Sequence, residues 1–436
     1  MGTERDGARE DLVAACGEVR EGGAVGGVGM VALPGSTEEV AAVMRVAAGH
    51  ELGVVVRGGG SRLGWGTPPE RCDLLVDMSR MSGVVEHAAG DLVARVRAGA
   101  RMGDVAAVLA EAGQEIALDV PGDSTVGGVV ASGLAGPRRL RYGTPRDLLI
   151  GLTIVRADGT VAKSGGKVVK NVAGYDLGKL FAGSAGTLGV ITETTFRLHP
   201  LPAARAYVTA EYVAVPVACA AVAAAANSAL VSSAVELSRA EPGGPTRVGV
   251  LLEGSADGVT ARSVRMAGLL GPGEVAADAP DWWPGPPSAA AGETLVRVSF
   301  WVSALGRVLD AVDAAAERTG VSPVIAGSAG AGVLYVRVGG NGALGSIAQT
   351  AASIEAESAN DPEGVAVAEF VGLLRGAVAD ERGGVVVLVA PVGVRAGLAG
   401  RGGMSGGTPG LALMRAVKDQ FDPGHRMAPG CFPGTP

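Results

Sequence analysis

Two hydrophobic periods alternate along this chain. "STEEVAAVMRVAAG", residues 36–49, opens on Ser36 and Glu39, a capping-box pair, and continues with helical spacing, which predicts a helix. Residues 53–56, with three consecutive valines, predict a strand, and "DLLVDM" at 73–78 a second. "LVARVRAGA" at 92–100 alternates as a half-buried strand does. "MGDVAAVLAEAG" at 102–113 returns to the helical period and stops at Gly113, a residue suited to a left-handed C-cap. "LIGLTIVRADGTVAKSG", 149–165, reads as two strands around the hairpin signal Asp158–Gly159. "TLGVITETTFRLHP", 187–200, is a strand closed by Pro200 and Pro202.

After that proline pair the texture changes. Strands and helices alternate from about 206 to 390: "AYVTAEYV", an Ala-rich helix, "SAVELS", "TRVGVLLEG", a helix near 257–270, "ETLVRVSFWV", a helix at 303–319, "GVLYVRVGG", a helix at 343–358 and "GGVVVLVAPV". This predicts an α+β domain whose sheet carries helices on one side. "PDWWPGPPSAAAG", 280–292, is a surface loop, and a last helix near 408–420 leads into "FDPGHRMAPGCF".

Composition narrows the classes. The 436 residues are 47% hydrophobic and 19% charged, a globular balance. One core rarely fills that length, so two domains are expected. Glycine is the outlier, with 71 residues, about twice the usual share of ~7%. The net charge is -7 and aromatics are 3%, which argues against a nucleic-acid surface. Cys16, Cys72, Cys219 and Cys431 stand apart with no CxxC, so the chain holds neither a zinc ribbon nor an iron–sulfur cluster of its own. The charged start "MGTERDGARE" shows no signal peptide, and the Ala-rich 213–231 stretch, carrying Pro216, suits a buried helix better than a membrane span. A cytoplasmic protein is expected.

The glycines cluster. Three stretches carry them: "VVVRGGGSRLGWG" at 54–66, "PGDSTVGGVVASGLAGPRRLRYG" at 121–143 and "FAGSAGTLGVIT" at 181–192. The first tempts a Rossmann reading, because Asp77 lies about 20 residues on. The spacing fails, since Gly58-x-Gly60-x-x lands on Leu63, and the loop "TPPERCD" follows where a helix is needed. A P-loop is also absent. Together the three stretches supply many backbone N–H groups with little side-chain bulk, which makes an anion cradle without a helix dipole. A large bis-anionic ligand laid across several loops would use all three. A plain β-turn is the bland alternative for the triple glycine, and solvated surface charge is the default for Arg57, Arg138 and Arg139.

The ordered set Arg57-Gly58-Gly59-Gly60-Ser61, Pro121 through Gly133, "YGTPRDLLIGLTIVRADG" and "KVVKNVAGYDLGKLFAGSAGTLGVITE" resembles the FAD-binding domain of the vanillyl-alcohol oxidase/PCMH superfamily. The nearest likeness is to the FAD-binding subunit of bacterial glycolate oxidase. It covers about 36–200, with a weaker echo in "FDPGHRMAPGCF". The resemblance implies an α+β fold: a two-subdomain PCMH-type FAD-binding domain, then an α+β, ferredoxin-like cap domain. The expected layout is an N-terminal extension over 1–35, the FAD domain over 36–203, the cap over 204–395, and a C-terminal helix and tail over 396–436 returning to the FAD domain. By position, Arg57, Gly58, Gly59, Gly60, Ser61 and Leu63 would wrap the FAD pyrophosphate. Pro121, Ser124, Thr125, Val126, Gly127 and Gly128 would line the diphosphate and ribose, with Ala131, Ser132 and Gly133 near the flavin. Gly186, Thr187, Gly189, Val190 and Ile191 would finish the cradle. "KNVAGYDLGKL" would be a loop beside the flavin.

Two departures shape the expected function. Some relatives of this superfamily carry, where Ser61 stands, a histidine tethered covalently to the flavin; here FAD is expected to be non-covalent. Catalytic 2-hydroxy-acid dehydrogenases of the superfamily carry a His-rich metal site in the cap, whereas this chain has only His50, His87, His199 and His425, none in the cap by these boundaries. No metal is expected, no catalytic residue is assigned, and His425 is kept as an outside candidate. The expectation is the FAD-binding subunit of a glycolate oxidase-like 2-hydroxy-acid dehydrogenase complex, partnered by a second FAD subunit and an iron–sulfur subunit that carries electrons onward. The alternative is a stand-alone FAD-dependent oxidase or dehydrogenase acting on another alcohol, with small residues (Ala221–Ala226, Gly327–Gly332) leaving a roomy pocket. A scaffold that has lost its flavin comes last, because the cradle motifs are intact.

Overall fold

The computed structural model describes residues 2–22, 28–167, 175–271, 273–339, 362–381, 383–399, 401–406 and 410–431. The chain divides into two compact units: one of residues 1–135, 144–201 and 410–436, the other of 136–143 and 202–409.

The first unit begins with α1 (Gly2–Cys16), β1 (Val19–Glu21) and β2 (Val28–Ala32). This corrects the reading of 1–35 as an extension. Ala8, Leu12 and Cys16 recur four apart, are buried, and join one core with Val40, Met44, Val54 and Leu74. After α2 (Thr37–Gly49), β3 (Val54–Arg57) and β4 (Cys72–Asp77) complete a four-stranded sheet in the order β1-β2-β4-β3. The capping expectation holds in a shifted form: Ser36 Oγ accepts from Glu39 N, while the Glu39 carboxylate accepts from Gly35 N. β3 and β4 are parallel. Parallel neighbours need a crossover, usually a helix; here residues 58–71 make it, and they carry the first glycine stretch with no helix.

The rest of this unit is a second sheet. β5 (Val84–Ala88), β6 (Val93–Arg97), β8 (Leu149–Val155), β9 (Val161–Gly165) and β10 (Val190–Arg197) form it in the order β5-β6-β10-β8-β9. α3 (Met102–Ala110), α4 (Val126–Ser132) and α6 (Pro145–Leu148) join it, while α5 (Arg139–Tyr142) belongs to the second unit; β7 (Gln114–Glu115) and β11 (His199–Pro200) make a two-residue pairing. The Asp158–Gly159 hairpin forms as expected, with Gly159 at φ 81. α12 (Leu411–Phe421) closes the unit, with Phe421 edge-on to Phe181 at 5.4 Å.

The second unit contains one eight-stranded antiparallel sheet: β12 (Ala204–Tyr212), β13 (Ala234–Arg239), β14 (Thr246–Gly254), β15 (Glu274–Ala276), β16 (Thr294–Ser299), β17 (Val324–Gly327), β18 (Val333–Val338) and β19 (Gly384–Val389). Its order is β15-β12-β14-β13-β17-β18-β16-β19. With α7 (Val215–Ala226), α8 (Ala256–Leu270), α9 (Leu305–Thr319) and α10 (Pro362–Ala379), the chain runs β-α-β-β-α-β twice. Each half has the ferredoxin-like strand order, so the expected ferredoxin-like domain is a tandem pair. β13 and β17 join the halves, which removes one open edge from each. β18 alternates half-exposed and buried residues, the pattern of a sheet covered on one face. Val248, Val250, Val296 and Val336 point into the helix-covered core.

Two helical expectations need adjustment. The helix at 343–358 lies outside the described residues. α10 was not expected: its apolar residues run around most of the helix, as in a buried one, and Gly372 and Gly376 interrupt the pattern. α11 (Val392–Ala399) packs close to it, with Gly397 at Ala368.

Candidate cofactor site

The three glycine-rich stretches, the second as far as Ala135, converge within the first unit. β3 ends at Arg57 and the chain turns through Gly58–Gly60 onto the second stretch. A Cβ on Gly58 would lie 2.0 Å from Thr125 Oγ1, and one on Gly59 3.2 Å from the Asp123 carbonyl. Gly60 has φ 79, which a residue with a Cβ adopts only under strain. Arg62 Nη1 donates to Ser61 Oγ (3.1 Å) and Ser124 Oγ (3.2 Å), tying the first stretch to the second. The second stretch meets the third through Ala185 N to Ala131 O at 2.7 Å and Gly183 N to Val130 O at 2.9 Å.

This geometry refines the reason for the glycines. Gly58, Gly127 and Gly189 are bare because the protein packs against itself there: added Cβ atoms would meet Thr125, Ala98 and the Val155 carbonyl at 2.0, 2.8 and 2.7 Å. Gly186, at φ 74, instead has open space beside it.

What the loops leave unsatisfied fits an anion. Among the described residues, the amides of Gly59, Gly60, Ser61 and Arg62 donate to no protein acceptor. Arg62 Nε and Ser184 Oγ are buried without a partner. Burial lowers the Arg62 pKa, opposed by the negative charge of Asp123. A polyanion would supply the missing acceptors. The start of α4 is not that receptor, because its amides are engaged: Val126 N with Ala100 O, Gly127 N with Ala98 O, and Gly128 N with Thr125 Oγ1. The run of unengaged amides lies in the extended first loop.

The expected site residues therefore divide. Gly59, Gly60, Ser61, Ser124 and Gly186 lie in the converging loops, and Leu63 is exposed nearby. Arg57 is neither a free surface charge nor a free ligand, since its Nε donates to the buried Asp77 carboxylate at 3.1 Å. Thr125 caps α4, and Ser132 Oγ donates to Gly128 O within that helix. Pro121 turns the chain, accepting from Ser124 N, and Gly133 ends α4 at φ 64. Val126, Val190 and Ile191 are buried in strand and helix cores, so their side chains hold the scaffold. Thr187 Oγ1 donates to Ser184 O. Sequence reasoning passed over Arg62, Ser184 and Lys418; Arg62 adjoins the glycine run, which was its only local signal. Residues 170–174 of "KNVAGYDLGKL" lie outside the described residues, and Leu177–Leu180 form a short 3-10 turn.

In the second unit, two expectations are corrected. Arg138 is buried and faces Glu253 at 3.4 Å, and Arg139 donates to Tyr335 Oη at 3.1 Å, so neither is a solvated charge. Ala221, Ala225, Ala329 and Gly330 do not line a roomy pocket. Ala221, Ala225 and Ala329 belong to the core, and a Cβ on Gly330 would lie 2.7 Å from Val235 Cβ. The four histidines all fall in the first unit. His425 is exposed, with its Nε2 3.2 Å from the Asp419 carboxylate on the surface. Among the described residues, no group of three or more His, Cys, Asp or Glu could hold a metal, and no helix is long and apolar enough to cross a membrane.

Comparison with known proteins says which ligand such glycine loops could hold. Residues 28–165 match the family model described as an FAD binding domain. The chain is 35% identical over 194 residues to glycolate oxidase subunit GlcD of Bacillus subtilis (strain 168), covering 43% of this chain and 40% of that protein. It is 40% identical over 154 residues to glycolate oxidase subunit GlcE of Escherichia coli (strain K12), covering 35% and 43%. The chain thus spans less than half the length of these relatives. The solved structure of p-cresol methylhydroxylase with substrate bound aligns at TM-score 0.71 and 15% identity, over 99% of this chain and 97% of that one, which shows the shared fold. The chain thus carries an FAD binding domain over residues 28–165, its cofactor is FAD, and its fold is shared with p-cresol methylhydroxylase.

Proposed function

We propose that this chain is the FAD-binding subunit of a glycolate oxidase-like complex that oxidises a 2-hydroxy acid, and that its FAD is held without a covalent bond. The observation that carries the reading is the first loop, with four consecutive unengaged amides and the partnerless Arg62 Nε beside Ser61 and Ser124. Gly59, Gly60, Ser61, Arg62 and Gly186 would hold the pyrophosphate. FAD, when bound, supplies the acceptor for a hydride and its electrons. The chain's own part is to bind, orient and shield it. Ser61, already an acceptor for Arg62, offers no nucleophilic nitrogen to the flavin. The second unit has no histidine in its sequence, the usual side chain for a base near neutral pH. That favours substrate chemistry on a second FAD subunit, and the absence of clustered cysteines favours an iron–sulfur partner that takes the electrons.

An anaerobic absorption spectrum of the purified chain, with and without excess glycolate or D-lactate, tests this. A yellow chain that does not bleach alone, bleaches when the partner subunits are added, and releases its flavin on acid precipitation is expected. Bleaching by the isolated chain would refute the subunit reading in favour of a stand-alone dehydrogenase, and flavin retained after acid would refute the non-covalent one.

A further inference from the structure

Lys418 and Asp422 form the most completely buried ion pair among the described residues, 3% and 0% exposed, on the last turn of α12 and just beyond it. All three ammonium hydrogens are used. Nζ donates to Asp422 Oδ2 at 2.5 Å, to Thr187 O at 2.7 Å and to Met427 O at 3.0 Å. Asp422 in turn accepts from Arg426 N at 3.0 Å and Met427 N at 2.8 Å. A buried pair is seldom more stabilising than a well-packed apolar replacement. Its value lies in what it specifies, and here its bonds lead to two of the three glycine stretches.

The first path is direct. Thr187 follows Gly186, so the ammonium holds the backbone of the third stretch by its carbonyl, and Phe421 braces Phe181 at the start of the same stretch. The second path runs through the tail. The turn fixed by Asp422 lays residues 426–429 along the free edge of β3. Val54 N donates to Arg426 O at 2.8 Å, and Ala428 N to Val54 O at 2.7 Å. Farther along, Glu70 N donates to Pro429 O at 2.9 Å. Val54 precedes the crossover that carries Gly58–Arg62, and Glu70 lies near its end. The tail therefore pins that crossover on both sides, and one cation ties its anchorage to the third stretch.

We propose that Lys418 is a positioning residue for FAD: it touches no cofactor, but fixes the separation of the first and third glycine stretches, so that the C-terminal clasp and FAD occupancy are energetically coupled. The inference rests on the FAD reading above. Coupling between two sites is reciprocal, and this supplies a readout that a merely stabilising ion pair would not move. FAD binding must protect the clasp, and loosening the clasp must weaken FAD.

The experiment uses the full chain and its Lys418→Met variant. Hydrogen exchange is followed in peptides covering 181–192 and 411–431 with and without FAD, and the FAD dissociation constant is measured by flavin fluorescence after apoprotein reconstitution. FAD is expected to slow exchange in both regions of the wild type. Lys418→Met, with an unchanged far-ultraviolet dichroism spectrum, is expected to bind FAD about tenfold more weakly. A folded variant that binds within about twofold of wild type overturns the proposal. So does wild-type protein in which FAD leaves exchange over 411–431 unchanged, and that measurement decides the matter if the variant does not fold. A wild type that binds no FAD overturns the cofactor reading, and the inference with it.

Discussion

Replacing Gly58 with alanine tests whether the glycine run serves the packing of one loop on another. The added Cβ would lie 2.0 Å from Thr125 Oγ1, 3.1 Å from its Cβ and 3.2 Å from its Cγ2. Thr125 cannot turn aside freely, because its hydroxyl caps α4 by accepting from Gly128 N at 3.3 Å, and the residue is 6% exposed. Either the first loop lifts off the second or the cap breaks. Overpacking costs about 1–3 kcal/mol, and loss of a threonine cap about 1 kcal/mol. A loss of about 1–3 kcal/mol is therefore expected, a large share of a typical stability of about 5–15 kcal/mol. Gly64→Ala is the control, since nothing lies within 4 Å of its added Cβ and its backbone φ is not in the left-handed region. Urea unfolding of both variants, with FAD affinity measured alongside, gives the answer. Adding Thr125→Ala should recover part of the Gly58→Ala loss, because it removes the closest atom, and the double-mutant cycle should show the coupling. The reasoning fails if Gly58→Ala matches Gly64→Ala in stability and FAD affinity, or if the two substitutions are simply additive.

Two further predictions concern titration. Burial, with Asp73 adding to it, pushes the Cys72 thiol up to about 11, and burial, with Glu70 and Cys72 outweighed in part by Lys418, does the same for Cys431. Both should therefore alkylate near neutral pH roughly a hundredfold more slowly in the folded chain than after unfolding, as read by mass spectrometry of each peptide; equal rates would refute the assignment. Burial pushes the Asp77 carboxyl up, but hydrogen bonds from Arg57 and Ser79 and the Arg57 charge outweigh it, leaving it below the ordinary carboxylate range. Its contribution is then full above the unfolded value of ~3.9 and is lost as pH falls through the lower folded value. The stability gap between wild type and Asp77→Asn, measured by urea unfolding, should accordingly narrow below about pH 4, and a gap that stays constant in acid would contradict the pairing.

Much of this fold was legible locally. The capped helix at 36–49, the Asp158–Gly159 hairpin and the strands at 72–77 and 190–197 follow from residues close together in sequence. The α1 periodicity of Ala8, Leu12 and Cys16 was also present, but the charged residues between them masked it. α10 was hidden for the opposite reason: Val365, Ala377 and Ala379 put apolar residues on its exposed side too, so the pattern shows little polar contrast. The candidate site was half legible. Its three glycine stretches announce exposed backbone, but nothing local separates a glycine that admits a ligand from one, such as Gly127, that admits Ala98.

By itself the sequence determined the period of each element, the places where backbone is bare, and the charge and cysteine content. Those depend on neighbours within a turn or a strand, so they need no knowledge of what lies opposite. Only the tertiary structure decided that residues 136–143 leave the first unit for the second, where Arg138 finds Glu253. It also decided that Asp77 belongs to Arg57 rather than to a ribose, and that Lys418 reaches Thr187 across more than half the chain. Each of these pairings involves a buried charge. A charge removed from water must find its partner in space, and which partner is available is settled when the chain closes on itself.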